Sequence, residues 1–310
     1  MVANFRAGLV LVSVAVFLWG TLPIALKLVL PHVDAVTLTW FRFICAFTVT
    51  LLLQIVFKRL GDFRQLSAKH WGILTLAMMG SIGNYILFVV SLHYLSGPTA
   101  QLIFQVAPIM MAIGGVLFYQ EKISAIQILN FAGVIVGMLL FFNKELLGLA
   151  GHTQLLIGMA CVFFSALSWV IYTLLQKSLI GRISSSNILL YIYFCASVLL
   201  LPFTVPEKIA LVNNDLMPVL IFLSLNTLIA YESFTRALKH WPVSRIGAAL
   251  PLVPVIAFVC TYLLHTWQPS MIEVDTLNLG ALIGVLLVTV CSIGASTAGR
   301  RASKEAANAS

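Results

Sequence analysis

Two charged side chains fall inside long apolar runs of this chain, and they are the first places to look for chemistry. Glu232 stands about six residues before the end of a run that closes near position 238. An ionisable group held away from water is costly unless it has a task or a partner. A carboxylate at that depth suits proton uptake and release, or a hold on a cationic group. Arg236, four residues on, offers the plainer alternative of an ion pair on one helix face, with the acid on the favourable N-terminal side. Arg42 lies about eight residues into an earlier run. Its planar fork of donors suits a carboxylate-like anion. Snorkelling to the interface, or pairing with Asp34, would also account for it.

Uncharged polar tips add to the set. Asn84, Tyr85, Gln101, Gln105 and Tyr231 are the side chains expected around a small-molecule cavity, although hydrogen bonding between helices would use them equally well. Gln101 and Gln105 are four apart and share a helix face. Trp19 and Trp169 stand two turns before Lys27 and Lys177, deeper than an interfacial belt would put them, so they line a cavity or pack a core. The two lysines end their runs at the interface, as snorkelling residues or as gates. Pro23, Pro108, Pro251 and Pro254 each free a carbonyl four residues back, at Trp19, Phe104, Gly247 and Leu250. Such carbonyls can line a cavity, and the kinks can be hinges or static bends.

The elements that must position these residues follow from composition. The chain is 61% hydrophobic and 9% charged, with a mean hydropathy of +1.04, far too little charge to cover a soluble domain of 310 residues. Ten apolar spans can be read, at roughly 7–29, 34–57, 71–93, 97–119, 125–142, 154–179, 187–205, 216–238, 243–265 and 277–298. In hydrocarbon the backbone must satisfy itself, so these are expected to be helices. The ten-residue alternation of a β-barrel is absent. Cys45, Cys161, Cys195, Cys260 and Cys291 all fall within spans and read as small buried hydrophobes. The net charge of +8 resides in short interhelical loops, which argues for membrane orientation and against nucleic acid.

The chain also repeats itself. A shift of 146 places Tyr85 on Tyr231, Phe88 on Phe234, Leu92 on Leu238, Pro108 on Pro254, Leu117 on Leu263 and Ser124 on Ser270. A shift of 147 places Gly133-x-x-x-Gly137 on Gly280-x-x-x-Gly284, and Trp19 with Lys27 recurs as Trp169 with Lys177. Two five-helix halves are expected, 1–146 and 147–310, joined near 144–153. With the N-terminus in the cytoplasm, fourteen of the eighteen lysines and arginines lie inside; Lys27, Lys144 and Lys208 lie outside, and Arg42 within a span. Both termini are then cytoplasmic. Five helices per half is an odd number, so the second half must be inverted, and equivalent loops do carry opposite bias: Lys58, Arg59, Arg64 and Lys69 against Glu207, Lys208 and Asp215. Inverted repeats of this kind characterise secondary transporters, with the site near the midplane between halves.

Leu18-Trp19-Gly20-Thr21 with Lys27, Ala166-Leu167-Ser168-Trp169 with Tyr172 and Lys177, Pro108 with Glu121, Ala237-Leu238-Lys239 and Pro254 carry a resemblance across nearly the whole chain. On these residues the chain resembles the EamA-domain type of the ten-helix drug/metabolite transporter superfamily. The resemblance implies an all-α polytopic membrane protein of the bacterial inner membrane, a 5+5 inverted repeat, a central cavity that would include Tyr172, and alternating access. It implies export of a small polar or amphipathic metabolite, possible proton coupling and no cofactor; uptake or exchange on the same fold stays open. The family usually carries a Glu at the end of the ninth helix to match Glu121, and Trp267 stands there in this chain. Fifth and tenth helices outside the cavity imply that the Gly-x-x-x-Gly stripes serve packing or a possible homodimer. An enzyme is not expected, since no H-E-x-x-H site occurs and Glu232 is the lone acid at depth.

Overall fold

Long apolar runs punctuated by serine, aspartate and proline fold into a helical protein, seen here in a computed structural model that describes residues 5–143, 153–247, 249–269, 271 and 278–308. The helices are α1 (Phe5–Val29), α2 (Ala35–Val56), α3 (Ala68–Ser91), α4 (Gly97–Ile103), α5 (Val106–Tyr119), α6 (Ala125–Phe141), α7 (Thr153–Leu179), α8 (Ser185–Leu200), α9 (Met217–Ala237), α10 (Val243–Gly247), α11 (Leu252–Trp267) and α12 (Leu279–Asn308). Among the described residues eight helical stretches are long and apolar enough to cross a membrane. The stretches Ala125–Phe141 and Leu279–Ala295 are shorter apolar helices. The join between the halves, with Lys144 and the 146/147 boundary, lies outside the described residues, as does Ser270.

Helix starts follow the local chemistry. Asp34 caps α2 by accepting the Thr37 backbone N–H at 2.9 Å, and Ser124 opens α6 in a reciprocal box with Gln127. Asp34 therefore does not pair with Arg42; its second oxygen takes Lys208 at 3.1 Å. The fourth and ninth spans are broken helices. Between α4 and α5, Gln105 N–H bonds to Leu102 O at 3.0 Å and Ala107 N–H to Phe104 O at 2.9 Å. Between α10 and α11, Leu250 N–H bonds to Gly247 O at 3.2 Å and Val253 N–H to Leu250 O at 2.8 Å. These tight turns use the carbonyls that Pro108, Pro251 and Pro254 release, so those carbonyls are not bare cavity lining as the sequence suggested. Pro23 leaves α1 unbroken.

The packing obeys an exchange of halves. α1 packs on α9 and α7 on α3; α1 packs on α11 and α7 on α5; α4 packs on α11 and α10 on α5. The pairs α2 with α8 and α6 with α12 map onto themselves. In the last pair Gly137 faces Gly284 so closely that a Cβ on Gly284 would sit 2.5 Å from the Gly137 carbonyl and one on Gly137 2.8 Å from the Gly284 carbonyl. Only glycine permits that crossing. The two Gly-x-x-x-Gly stripes are thus engaged with each other inside one chain, and the possible homodimer loses the feature that suggested it.

Candidate functional site

Where the two halves meet, a cavity opens among α1, α2, α3, α7, α9 and the two helix breaks. Trp19, Arg42, Asn84, Tyr85, Gln101, Gln105, Trp169 and Tyr231 all line it. The repeat explains why. Tyr85 and Tyr231, equivalent residues of the two halves, lie with ring centroids 5.1 Å apart, and Trp19 and Trp169 meet edge to face at 5.7 Å. Residues placed on an exchange axis touch their own counterparts there.

Hydrogen bonds fix most of the polar tips. Asn84 Nδ2 donates to Ser165 Oγ at 2.9 Å, Ser165 Oγ donates back to the Asn84 carbonyl at 3.0 Å, and the Tyr231 hydroxyl donates to Asn84 Oδ1 at 3.2 Å. Gln101 Nε2 donates to the Trp19 carbonyl at 3.0 Å, the group Pro23 released. Gln105 Nε2 donates to the Gln101 carbonyl at 2.9 Å, which closes the gap in the broken span. These bonds tie α1 to α4 and α3 to α7, so the wall of the cavity is set by the helix framework rather than by loops.

Arg42 is the exception. It is 1% exposed, its Nε donates to Thr227 Oγ1 at 3.0 Å, and its guanidinium lies 4.8 Å from the Tyr85 ring centroid. Among the described residues its Nη2 has no hydrogen-bond partner, and none of their carboxylates lines the cavity. Trp19 Nε1 and Gln105 Oε1 are likewise buried without a partner. The Tyr85 hydroxyl at the same wall also lacks a partner, so one cation, one neutral donor, one neutral acceptor and one hydroxyl are unused there. Buried polar atoms are nearly always satisfied, so four at one cavity mark a place that something else completes.

Other expected residues fall elsewhere. Tyr172 is fully buried but does not line the cavity; its ring packs 6.4 Å from that of Tyr231. Glu232 also stays outside: one oxygen takes both Arg236 Nε and Ser186 Oγ at 2.6 Å. Adjacent positions on a helix point about 100° apart, so Tyr231 faces the cavity and Glu232 does not. Lys27 ends α1. Lys177 does more than snorkel: it bonds Glu121 at 3.2 Å, and the same carboxylate oxygen accepts the Val243 N–H at 3.1 Å. Gln120, left-handed at φ +54°, turns the chain back so that the Glu121 N–H reaches the Gly115 carbonyl at 3.0 Å. That turn sets the Glu121 carboxylate against the other half. Sequence reasoning missed this pair, and it missed Thr227 and Ser165, which stand one helical turn before Tyr231 and Trp169 on the same faces.

The comparisons with known proteins decide the family. The model of the EamA-like transporter family matches residues 6–143 and again 156–290. The chain belongs to the EamA-like transporter family. It is 31% identical over 294 residues to an uncharacterized transporter of Haemophilus influenzae, covering 95% of each chain. It is also 31% identical over 283 residues to the uncharacterized inner membrane transporter YhbE of Escherichia coli strain K12, covering 91% of this chain and 88% of that one. A solved crystal structure superposes with a TM-score of 0.69 over 96% of this chain and 100% of the other, at 16% identity, a likeness of fold alone. An EamA-like protein is a membrane transporter and not an enzyme, and the family model matches this chain twice.

Proposed function

We propose that this EamA-like transporter exports a small polar or amphipathic metabolite from the cytoplasm across a bacterial inner membrane, through the cavity between its halves. The observation that carries the reading is Arg42, buried at that cavity with an unused donor among aromatic walls. A buried cation kept without an acid is expensive, and a transported ligand is what would offset the cost. In this proposal the two five-helix halves are inverted relative to each other, both termini are cytoplasmic, and the halves rock about the cavity. The charge bias of the loops and the odd number of spans per half support the orientation.

Lys177 and Glu121 are the gate of the cytoplasmic end in this reading. Their ion pair joins the halves, with side chains 18% and 12% exposed. At the opposite end Lys27 is the counterpart of Lys177, but Trp267, 78% exposed, stands where Glu121 has its counterpart. The two ends therefore differ in sequence. Pro108, Pro251 and Pro254, at the broken spans, are the hinges. Glu232 is the coupling residue of the proposal: protonating it would release Arg236 and Ser186 at the end of α9.

Cysteines placed at Ser96 and Lys239 test the topology. Labelling from opposite sides of the membrane is expected, and labelling from one side contradicts the inverted repeat. Glu232→Gln tests coupling. Transport that no longer responds to a proton gradient is expected, and an unchanged response would leave Glu232 a structural ion-pair partner.

A further inference from the structure

The unused atoms of the cavity have a sum, and it is not that of a zwitterion. Arg42 contributes a full positive charge with Nη2 free, Trp19 Nε1 offers a neutral donor, Gln105 Oε1 a neutral acceptor, and the Tyr85 hydroxyl a neutral group that can do either. The Gln105 oxygen is fixed as the outward atom because its Nε2 is held by the Gln101 carbonyl. Among the described residues no Asp or Glu lines the cavity, and Glu232, the acid closest in sequence to a lining residue, is already bonded to Arg236 and Ser186. A carboxylate brought to Arg42 would neutralise the one buried charge, in a fork geometry that suits it. An ammonium brought in with it would be a new buried charge facing a neutral acceptor and ring faces. Cation–π attraction offsets only part of the cost of taking that charge out of water. A hydroxyl or amide N–H satisfies Gln105 Oε1 without this penalty.

Resting on the transport-site reading above, we infer that the cavity takes an organic monoanion with an apolar or aromatic body and one neutral donor, in preference to the matching zwitterion or cation. The body is matched by the aromatic walls of Trp19, Tyr85, Phe104, Trp169 and Tyr231. Selection operates by charge: Arg42 attracts the anion, and the absence of a lining acid disfavours any positive group.

Three probes with one phenyl body separate the cases. 3-Phenyllactate carries a carboxylate and a hydroxyl, phenylalanine replaces the hydroxyl with an ammonium, and phenethylamine keeps only the ammonium. Isothermal titration of the full chain in lipid nanodiscs should rank them in that order, with phenyllactate tighter than phenylalanine by about tenfold or more. In Arg42→Gln the anion should lose its advantage over phenethylamine, while Arg42→Lys, which keeps the charge, should retain the order more weakly. Phenylalanine or phenethylamine binding as tightly as phenyllactate overturns the inference and leaves the site in place. Absence of binding by all three, or an order that Arg42→Gln does not change, overturns the site reading itself.

Discussion

Arg42 and Arg236 carry the same guanidinium in opposite settings. Arg236 is 51% exposed on its side chain and meets Glu232 one helical turn away at 2.6 Å. Arg42 is 1% exposed, rests on a threonine hydroxyl and a tyrosine ring, and has no acid. The first is a largely solvated pair, worth about 0.3–0.5 kcal/mol because water screens it. The second is a charge held in low dielectric at a cost of several kcal/mol. In the proposed function the substrate is met by the charge that has no acid beside it, and the solvated pair is left for coupling.

Substitutions should sort along that scale of burial and pairing. The largest effect belongs to Arg42→Gln, which should lower kcat/KM for an anionic substrate roughly a hundredfold, about 2.7 kcal/mol, in reconstituted vesicles. Thermal stability should hold or rise, because an unpaired buried charge is removed. A loss of stability without loss of transport would erase the contrast. Glu121→Gln comes next. It breaks a pair that is mostly buried, and about 1–2 kcal/mol of closing energy should be lost at that end. Spin labels at Lys122 and Arg182, one on each half, should report a larger fraction of long distances; an unchanged distribution argues against a gate.

The half-exposed pair between Lys208 and Asp34 should show as a pH effect. Burial pushes the Asp34 carboxyl up, but the Thr37 N–H, Lys208 and the Thr37 hydroxyl outweigh it and hold the group below its ordinary value. Its contribution is complete above the unfolded carboxylate range near about 4 and is lost as pH falls through the lower folded value. Asp62, held down by the Ser184 N–H and Asn187 against the opposing effect of burial, behaves alike. The unfolding midpoint should fall as the pH drops below about 4, less steeply in Asp34→Asn; identical slopes would remove this pair from the account. Arg236→Gln is the smallest, within about 0.5 kcal/mol of parent stability, and a larger loss would make the two arginines alike.

Much of this was legible in the chain. Hydropathy placed the spans because a helix in hydrocarbon has to be apolar along about 20 residues, and the Tyr85/Tyr231 and Trp19/Trp169 repeats located the cavity because equivalent residues meet on an exchange axis. What was not legible depends on rotation and on distance in the fold. Tyr231 and Glu232 are neighbours in sequence, yet only one faces the cavity, since helix rotation decides it. Glu121 and Lys177 lie 56 positions apart, and their meeting depends on the left-handed turn at Gln120, which no glycine announces. The Gly-x-x-x-Gly stripes were readable as close contacts, but not whether the contact was within a chain or between chains.

The account stands most directly on one measurement, the extracellular metabolite profile of cells overproducing the parent protein, set beside cells overproducing Arg42→Gln and cells with an empty vector. The prediction is a small organic anion that accumulates outside with the parent and falls to the empty-vector level with Arg42→Gln, at equal amounts of membrane-inserted protein. A parent profile equal to that of empty cells, or an accumulated compound that Arg42→Gln exports just as well, would contradict it.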